Sequence, residues 1–189
     1  MAQTPYFPMF VPLCGRRVLL VGGGRVALRK AEKLLPFGAR LTVVAPEICG
    51  ALRALPVTCV RRAFEAADLT AQTALVIAAA DDRAVNRKVA EAAERLRIPV
   101  NTVDDPALCS WYFPALITRG SLCVGVSTGG TCPTAASLLR ERLEAALPDD
   151  IGPALDRLSA ERARLKAAEP DPEKRAALLR EMALRLLEE

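Results

Sequence analysis

A chain of 189 residues, 51% apolar and 25% charged, is long enough for one ordinary domain with a smaller appendage and too apolar to be disordered. Its formal net charge of +4 suits an acidic small molecule, and the absence of a dense Lys/Arg stripe interleaved with aromatics argues against nucleic acid. Six cysteines without a C-x-x-C pair, no histidine, and no basic stretch ahead of an N-terminus broken by Pro5, Pro8 and Pro12 exclude the familiar zinc patterns and a secretory signal, and point to a reduced, cytoplasmic protein.

In chain order, Arg17–Val21 (RVLLV) reads as a strand, followed by a glycine cluster and a helical stretch over Ala27–Leu35. Further strands are expected at Arg40–Val44, Val57–Val60 and Ala74–Ala78. Helical spacing of Val85, Val89, Ala92, Ala93 and Leu96 places a helix over Ala84–Arg97, and Ile98–Asn101 is a further short strand. Apolar strands separated by helices imply βαβ units and a mostly parallel sheet. After Cys109 the character changes: Trp111–Thr118 and Leu122–Ser127 read as strands joined at Arg119-Gly120-Ser121, and a helix runs from about Pro133 to Leu147. The uncharged run Gly120–Leu139 is about as long as a membrane span, but its glycines, hydroxyls and Pro133 make it strand, loop and helix start instead. Ile151, Leu155, Leu158 and Leu165 line one amphipathic helix. Asp171 is the expected N-cap of a last one, with Pro172 at its first position. Because 151–189 is balanced in charge, the whole positive excess lies in 1–150.

Three motifs carry chemistry. Val21-Gly22-Gly23-Gly24-Arg25-Val26-Ala27 contains G-x-G-x-x-A between a strand and a helix. Gly22 permits the turn, Gly24 lets the backbone approach a pyrophosphate, and Ala27 allows close helix–strand packing. The phosphates would lie at the helix N-terminus, where free N–H groups favour an anion. A ribose-binding acid belongs at the end of the second strand; Glu47 stands a few residues beyond it, and the nearest arginine for a 2′-phosphate, Arg53, is further on, which favours NAD over NADP.

Asn101-Thr102-Val103-Asp104-Asp105-Pro106 lies at a strand end, the ligand edge of an open α/β sheet. Its two carboxylates could supply one base, or could be turn chemistry alone. Ser127-Thr128-Gly129-Gly130-Thr131-Cys132-Pro133 feeds a helix and is either an anion-binding loop or a plain connection capped at Thr131 or Cys132. Basic residues near these loops are Arg25, Arg29, Lys30, Arg83, Arg87, Lys88 and Arg119. Most are expected to be solvated helix charges; Arg119, at a turn between strands, is singled out.

With these residues on the page, the sequence resembles the dehydrogenase/ferrochelatase module of siroheme synthase, also found as a free-standing precorrin-2 dehydrogenase. The resemblance runs from Tyr6-Phe7-Pro8-Met9-Phe10 through Val18–Gly24, Ala27, Arg29-Lys30, Ala78-Ala79-Ala80-Asp81-Asp82, Val85-Asn86, Asn101–Asp104 and Phe113-Pro114-Ala115 to Val126–Thr131, Pro133 and Leu138-Leu139-Arg140, covering about 1–150 in order. It implies an α/β fold: a Rossmann-type parallel sheet over 1–112, a small α+β dimerisation region over 113–148 and a helical end over 149–189. It implies a homodimer that oxidises precorrin-2 to sirohydrochlorin with NAD. Asp104 matches the family's catalytic aspartate. Gly22, Gly23, Gly24, Arg25, Val26, Pro46, Glu47 and Ala80 fall where NAD is held, while Arg119, Ser127, Thr128, Gly129, Gly130 and Thr131 would meet the acidic tetrapyrrole. No metal-ligand set is expected, and neither nucleic acid nor membrane. Thr128 stands where some relatives carry a phosphorylatable serine, so no regulatory role is carried over. Whether ferrous iron is also inserted as a substrate stays open: some relatives do so, and a histidine that could assist is missing. The alternatives are a dehydrogenase with a separate chelatase, or a non-catalytic NAD-sensing module. The methyltransferase domain fused to this module in some relatives does not follow within 189 residues, so precorrin-2 is expected to come from another protein.

Overall fold

The computed structural model describes residues 6–188; Pro5 lies outside them. The chain divides into two compact units, one of residues 9–113 and one of residues 114–188 with the described residues 6–8. Each is described by itself.

The first unit is built on five parallel strands, β1 (Arg17–Val21), β2 (Arg40–Val44), β3 (Thr58–Val60), β4 (Thr73–Ala78) and β5 (Val100–Thr102), in the order β3-β2-β1-β4-β5. The strand order reverses between β1 and β4, the point at which open α/β sheets bind ligands beyond the strands' C-terminal ends. Alternation along β1 gives the sheet two buried faces. Val18 and Leu20 join Val43 and Ile77 beneath Ala27, Ala31 and Leu34 of helix α1 (Arg25–Leu34). Leu19 and Val21 join Val44, Val76 and Ala78 beneath Val89, Ala90, Ala92 and Ala93 of α3 (Arg83–Arg95). A short α2 (Gly50–Arg53) adds Leu52 to the first face. Burying each of these Val, Leu and Ile side chains contributes about 1.5–3 kcal/mol, which is why runs such as RVLLV and ALVIA can form strands with no polar face.

The expected elements of this unit are present, with ends that shift by at most two residues. Helix α1 starts at Arg25 because Gly24, still extended, is its N-cap. Strand β5 starts at Val100 and extends to Thr102. It is an edge strand, and its open side is covered by the following loop. Ser110 Oγ accepts from Val100 N at 2.8 Å, and Cys109 Sγ accepts from Thr102 N at 3.1 Å and donates to Thr102 O. Two side chains thereby act as a missing strand, which blunts an edge that would otherwise invite pairing.

The second unit opens with an antiparallel hairpin, β6 (Ala115–Arg119) and β7 (Leu122–Val126). The strand expected over Trp111–Thr118 begins instead at Ala115: Trp111 to Phe113 belong to the first unit and Pro114 has no N–H to offer a ladder. Gly120 takes the left-handed conformation (φ 59°) that opens a two-residue hairpin turn. A Cβ there would stand 3.1 Å from Gly152 Cα, because the start of α5 packs against the turn. Helices α4 (Pro133–Ala145), α5 (Ile151–Ala168) and α6 (Pro172–Glu188) follow. Asp171 caps α6 as expected, its Oδ1 accepting from Glu173 N at 2.9 Å. Among the described residues no helix is long and apolar enough to cross a membrane.

Candidate functional site

The loop after β1 has three glycines with three different neighbourhoods. Gly22 has φ 127°, donates to Val44 O at 3.0 Å, and lies so close to the end of β4 that a Cβ would meet Ala79 O at 2.2 Å. Gly23 is closed in by the end of the β2 loop, where a Cβ would stand 1.9 Å from Glu47 O. Gly24, the exposed N-cap of α1, has nothing within 4 Å of its Cβ position and no side-chain cap on the helix. Two glycines therefore serve packing, and the third leaves open space in front of uncapped helix N–H groups. A phosphate needs that combination. The open space at Gly24 and the uncapped start of α1 fit a dinucleotide, whose diphosphate Gly24, Arg25 and Val26 would hold.

Beside this loop, beyond the C-terminal ends of β4 and β5, lies a cavity of about 210 Å³. Val26 of α1, Ala79 and Ala80 after β4, and Val103, Asp104 and Asp105 after β5 line much of it. The structure thus brings Val26, Ala80 and Asp104 to one cavity, with Gly22 packed behind Ala79. Pro46 and Glu47 are exposed on the Gly23 side of the loop.

Asp104 is one of two non-glycine residues with positive φ (58°) among those described. A residue held in the left-handed region costs about 1–3 kcal/mol and persists where its surroundings impose it. Here Val103 N donates to Ala78 O at 2.9 Å, so β4 holds the chain up to the residue before the turn. Asp104 is exposed at the cavity rim, where its carboxylate is open to a ligand.

Three contributions had no assigned role in the sequence. Asn86 of α3 is buried and makes a two-way clasp with Ala80: Ala80 N donates to Asn86 Oδ1 at 3.0 Å, and Asn86 Nδ2 donates to Ala80 O at 2.9 Å. That clasp fixes the backbone forming one wall of the cavity. Asn101, also buried, donates through Nδ2 to Trp111 O at 3.1 Å and ties β5 to the covering loop. Lys30, one helical turn beyond Val26 on α1, is half-buried with its Nζ 4.3 Å from the centre of the Phe113 ring. Burial first, then the neighbouring Lys33 and Arg29, pull its pKa down to about 8, against weaker attraction from Cys109 and Asp104. Burial pushes the Cys109 thiol up, and Asp105 adds to this, so the thiol stays protonated as a donor to Thr102 O. No group of three or more His, Cys, Asp or Glu among the described residues could hold a metal ion.

The expected tetrapyrrole contacts all lie in the second unit, but not at one place. Arg119 is at the turn end of the hairpin, paired with the exposed Asp149 at 3.5 Å. Ser127–Thr131 leaves the opposite end, beyond Val126. Five-residue strands hold them about 14 Å apart. Within the loop, Gly129 and Gly130 are both left-handed (φ 63° and 82°). Ser127 Oγ accepts from Gly129 N, and Thr128 Oγ1 accepts from Cys132 N while donating to Cys132 O. The cap of α4 is Cys132, whose Sγ accepts from Ala135 N at 3.4 Å.

A parallel sheet with its order reversed at β1/β4, an open glycine at a helix start and an adjacent cavity define a nucleotide-binding α/β unit. Residues 9–115 match the family model described as "Putative NAD(P)-binding", and the chain belongs to that family. Residues 119–146 match the model of the central part of sirohaem biosynthesis proteins. The chain is 45% identical over 174 residues to a siroheme synthase of Pseudomonas putida and 52% identical over 158 residues to one of Tolumonas auensis. These matches cover 90% and 82% of this chain, which spans 37% and 33% of those two proteins. A solved structure titled "SirC, precorrin-2 dehydrogenase" superposes with a TM-score of 0.74 at 25% identity, covering 94% of this chain and 89% of that one.

Proposed function

We propose that this protein oxidises precorrin-2 to sirohydrochlorin with NAD as hydride acceptor. The observation that carries the reading is the shared cavity: the open start of α1 that fits a diphosphate and the left-handed Asp104 border the same space. Its likeness to siroheme synthases and to a precorrin-2 dehydrogenase structure supplies the substrate.

Oxidation removes a hydride and a proton from the tetrapyrrole. Bound NAD supplies the hydride acceptor. Asp104 takes the proton on its exposed carboxylate and returns it to water, and the same negative charge stabilises cationic character on the macrocycle as the hydride leaves. Gly24, Arg25 and Val26 present the helix start to the diphosphate. Ala80, clasped by Asn86, forms the fixed wall beside it. Glu47, beyond β2 with no arginine beside it in sequence, favours the free ribose hydroxyls of NAD over a 2′-phosphate. The Ser127–Thr131 loop, with its paired left-handed glycines and helix start, receives substrate carboxylates. Arg119, a strand length away and paired with the exposed Asp149, is assigned to another carboxylate of the same substrate. The exposed Leu138, Leu139 and Leu143 of α4 are assigned to a homodimer interface within 113–148.

The test is anaerobic incubation of the purified protein with precorrin-2 and NAD, read as NADH formation and the sirohydrochlorin spectrum. Asp104→Asn should lower kcat by about 10²–10⁴ with NAD affinity retained. Ferrous iron added next distinguishes an enzyme that also completes siroheme from one that stops at sirohydrochlorin. Binding of NAD with no NADH formed would replace this reading with a nucleotide sensor.

A further inference from the structure

We infer that Lys30 and Lys33, converging on the Phe113 ring, form a carboxylate-binding subsite that anchors one acidic side chain of the tetrapyrrole; this rests on the substrate class proposed above. Both ammonium groups address the same ring, Lys30 at 4.3 Å and Lys33 at 5.9 Å from its centre. The ring is in turn backed by Trp111, 5.5 Å away and tilted by 41°. Two cations sharing one aromatic ring gain from its negative quadrupole but repel each other. Arg29 adds a third positive charge next in sequence.

The site is also adjacent to the reaction space. Val26 and Lys30 are four residues apart on α1 and so share a face of that helix, and Val26 lines the cavity that Asp104 rims. Lys30 feels the charge of Asp104 but makes no hydrogen bond with it, and the Cys109 thiol beside it stays protonated. A half-buried ammonium whose strongest charged neighbours are cations, and whose carboxylate neighbour remains at a distance, is under-neutralised. An anion that docks there relieves the repulsion between Lys30 and Lys33 and gains a charge-assisted hydrogen bond. A mononuclear phosphate would meet the same charges, but the tetrapyrrole brings several carboxylates on flexible arms, one of which can reach this ring while the macrocycle faces Asp104.

The lowered pKa of Lys30, about 8, makes the subsite pH-sensitive over a range in which substrate carboxylates stay ionised. The groups that set it are Lys33 and Arg29 on the same helix and Cys109 and Asp104 from the β5 end. Above pH 8 Lys30 loses its proton and the subsite loses its inner cation.

The experiment measures the Kd of sirohydrochlorin from quenching of Trp111, the single tryptophan of the chain, between pH 7 and pH 9.5. Because it needs no turnover, it separates this subsite from the catalytic reading, which stands or falls on NADH formation. Wild-type Kd should rise about five- to tenfold across the range, the size of one partly exposed charge-assisted contact. Lys30→Gln should show the weakened Kd already at pH 7, with no further rise. Lys30→Arg, charged throughout, should bind tightly and stay flat. Lys33→Gln should weaken binding less and move the wild-type transition to higher pH, since it removes a repulsive neighbour of Lys30. A Kd for Lys30→Gln within twofold of wild type at pH 7, or the same pH-dependent rise in Lys30→Arg, would overturn the subsite.

Discussion

The two units bury their apolar residues very differently. In the sheet unit, Val18, Leu19, Leu20, Val76 and Ile77 are wholly inaccessible, and helices cover both faces. In the hairpin–helix unit the described buried residues are few, chiefly Ile117, Ala136, Ile151 and Ala154, while Leu138, Leu139 and Leu143 of α4 are 55%, 45% and 47% exposed. The first unit satisfies its own core. The second has the composition of a folded element but leaves a leucine-bearing helix uncovered, the pattern expected when a second copy completes the burial.

The sharpest way to break the self-sufficient unit is through its glycines. Gly23→Ala puts a methyl group 1.9 Å from Glu47 O, and the backbone on one side must move. We expect a loss of about 3 kcal/mol or more together with loss of NAD binding, read by thermal unfolding and by titration with NADH. Gly24→Ala is the control within the same loop. Nothing lies within 4 Å of its Cβ position, so the melting temperature should hold while NADH affinity falls about tenfold, because the methyl group occupies space the diphosphate needs.

Next in size is a matched pair of truncations. Ile77→Ala, in the sheet centre, should cost about 2–5 kcal/mol at any protein concentration. Leu139→Ser, on the uncovered face of α4, should leave the fold of a single chain nearly unchanged and instead shift sedimentation from dimer towards monomer. The wild-type melting temperature should also rise with protein concentration, and the Leu139→Ser melting temperature should not. Equal destabilisation by both variants, independent of concentration, would erase the distinction between the units.

The same contrast governs how much of the molecule could be read from its sequence. Strands buried on both faces announce themselves as unbroken apolar runs, so β1, β2 and β4 were legible nearly to the residue, and the G-x-G-x-x-A turn followed from its place between strand and helix. The Trp111–Thr118 strand was overextended because apolar character there serves another purpose: Trp111 and Phe113 pack in the sheet unit, beside a loop whose Cys109 and Ser110 side chains close the edge of β5. The left-handed turn at Asp104, the Asn86 clasp and the half-burial of Lys30 depend on neighbours far away in sequence. Local pattern marks Asn86 as a polar helix residue and Lys30 as a solvated charge, and only the fold shows what each touches. The separation of Arg119 from Ser127–Thr131 likewise follows from the hairpin register, which the motif alone does not give.

The smallest expected effect concerns charge. The ion pairs of the helical unit, such as Arg157–Asp150 and Arg164–Glu161, are exposed and screened and should add little. The sheet unit has one with a buried member. Asp68, 8% exposed, accepts from both guanidinium nitrogens of Arg62, at 2.5 and 2.8 Å, and from Glu65 N at 2.9 Å. The Arg62 hydrogen bonds hold its carboxyl below the usual range, outweighing the burial that would raise it, with the Glu65 N–H and the charge of Arg17 adding to the effect. A carboxyl whose folded pKa is depressed contributes stability that is complete above its unfolded pKa near 3.8 and is lost as pH falls through the folded value. Asp68→Asn should therefore cost about 1 kcal/mol at pH 7, discounted because Arg62 remains partly solvated, and the cost should fade as pH falls below 3.8 and through the depressed folded value. Acid titrations of both proteins followed by circular dichroism would show it as curves that converge at low pH. Curves that stay parallel would mean that Asp68 acts through its shape in the turn before β4 and not through its charge.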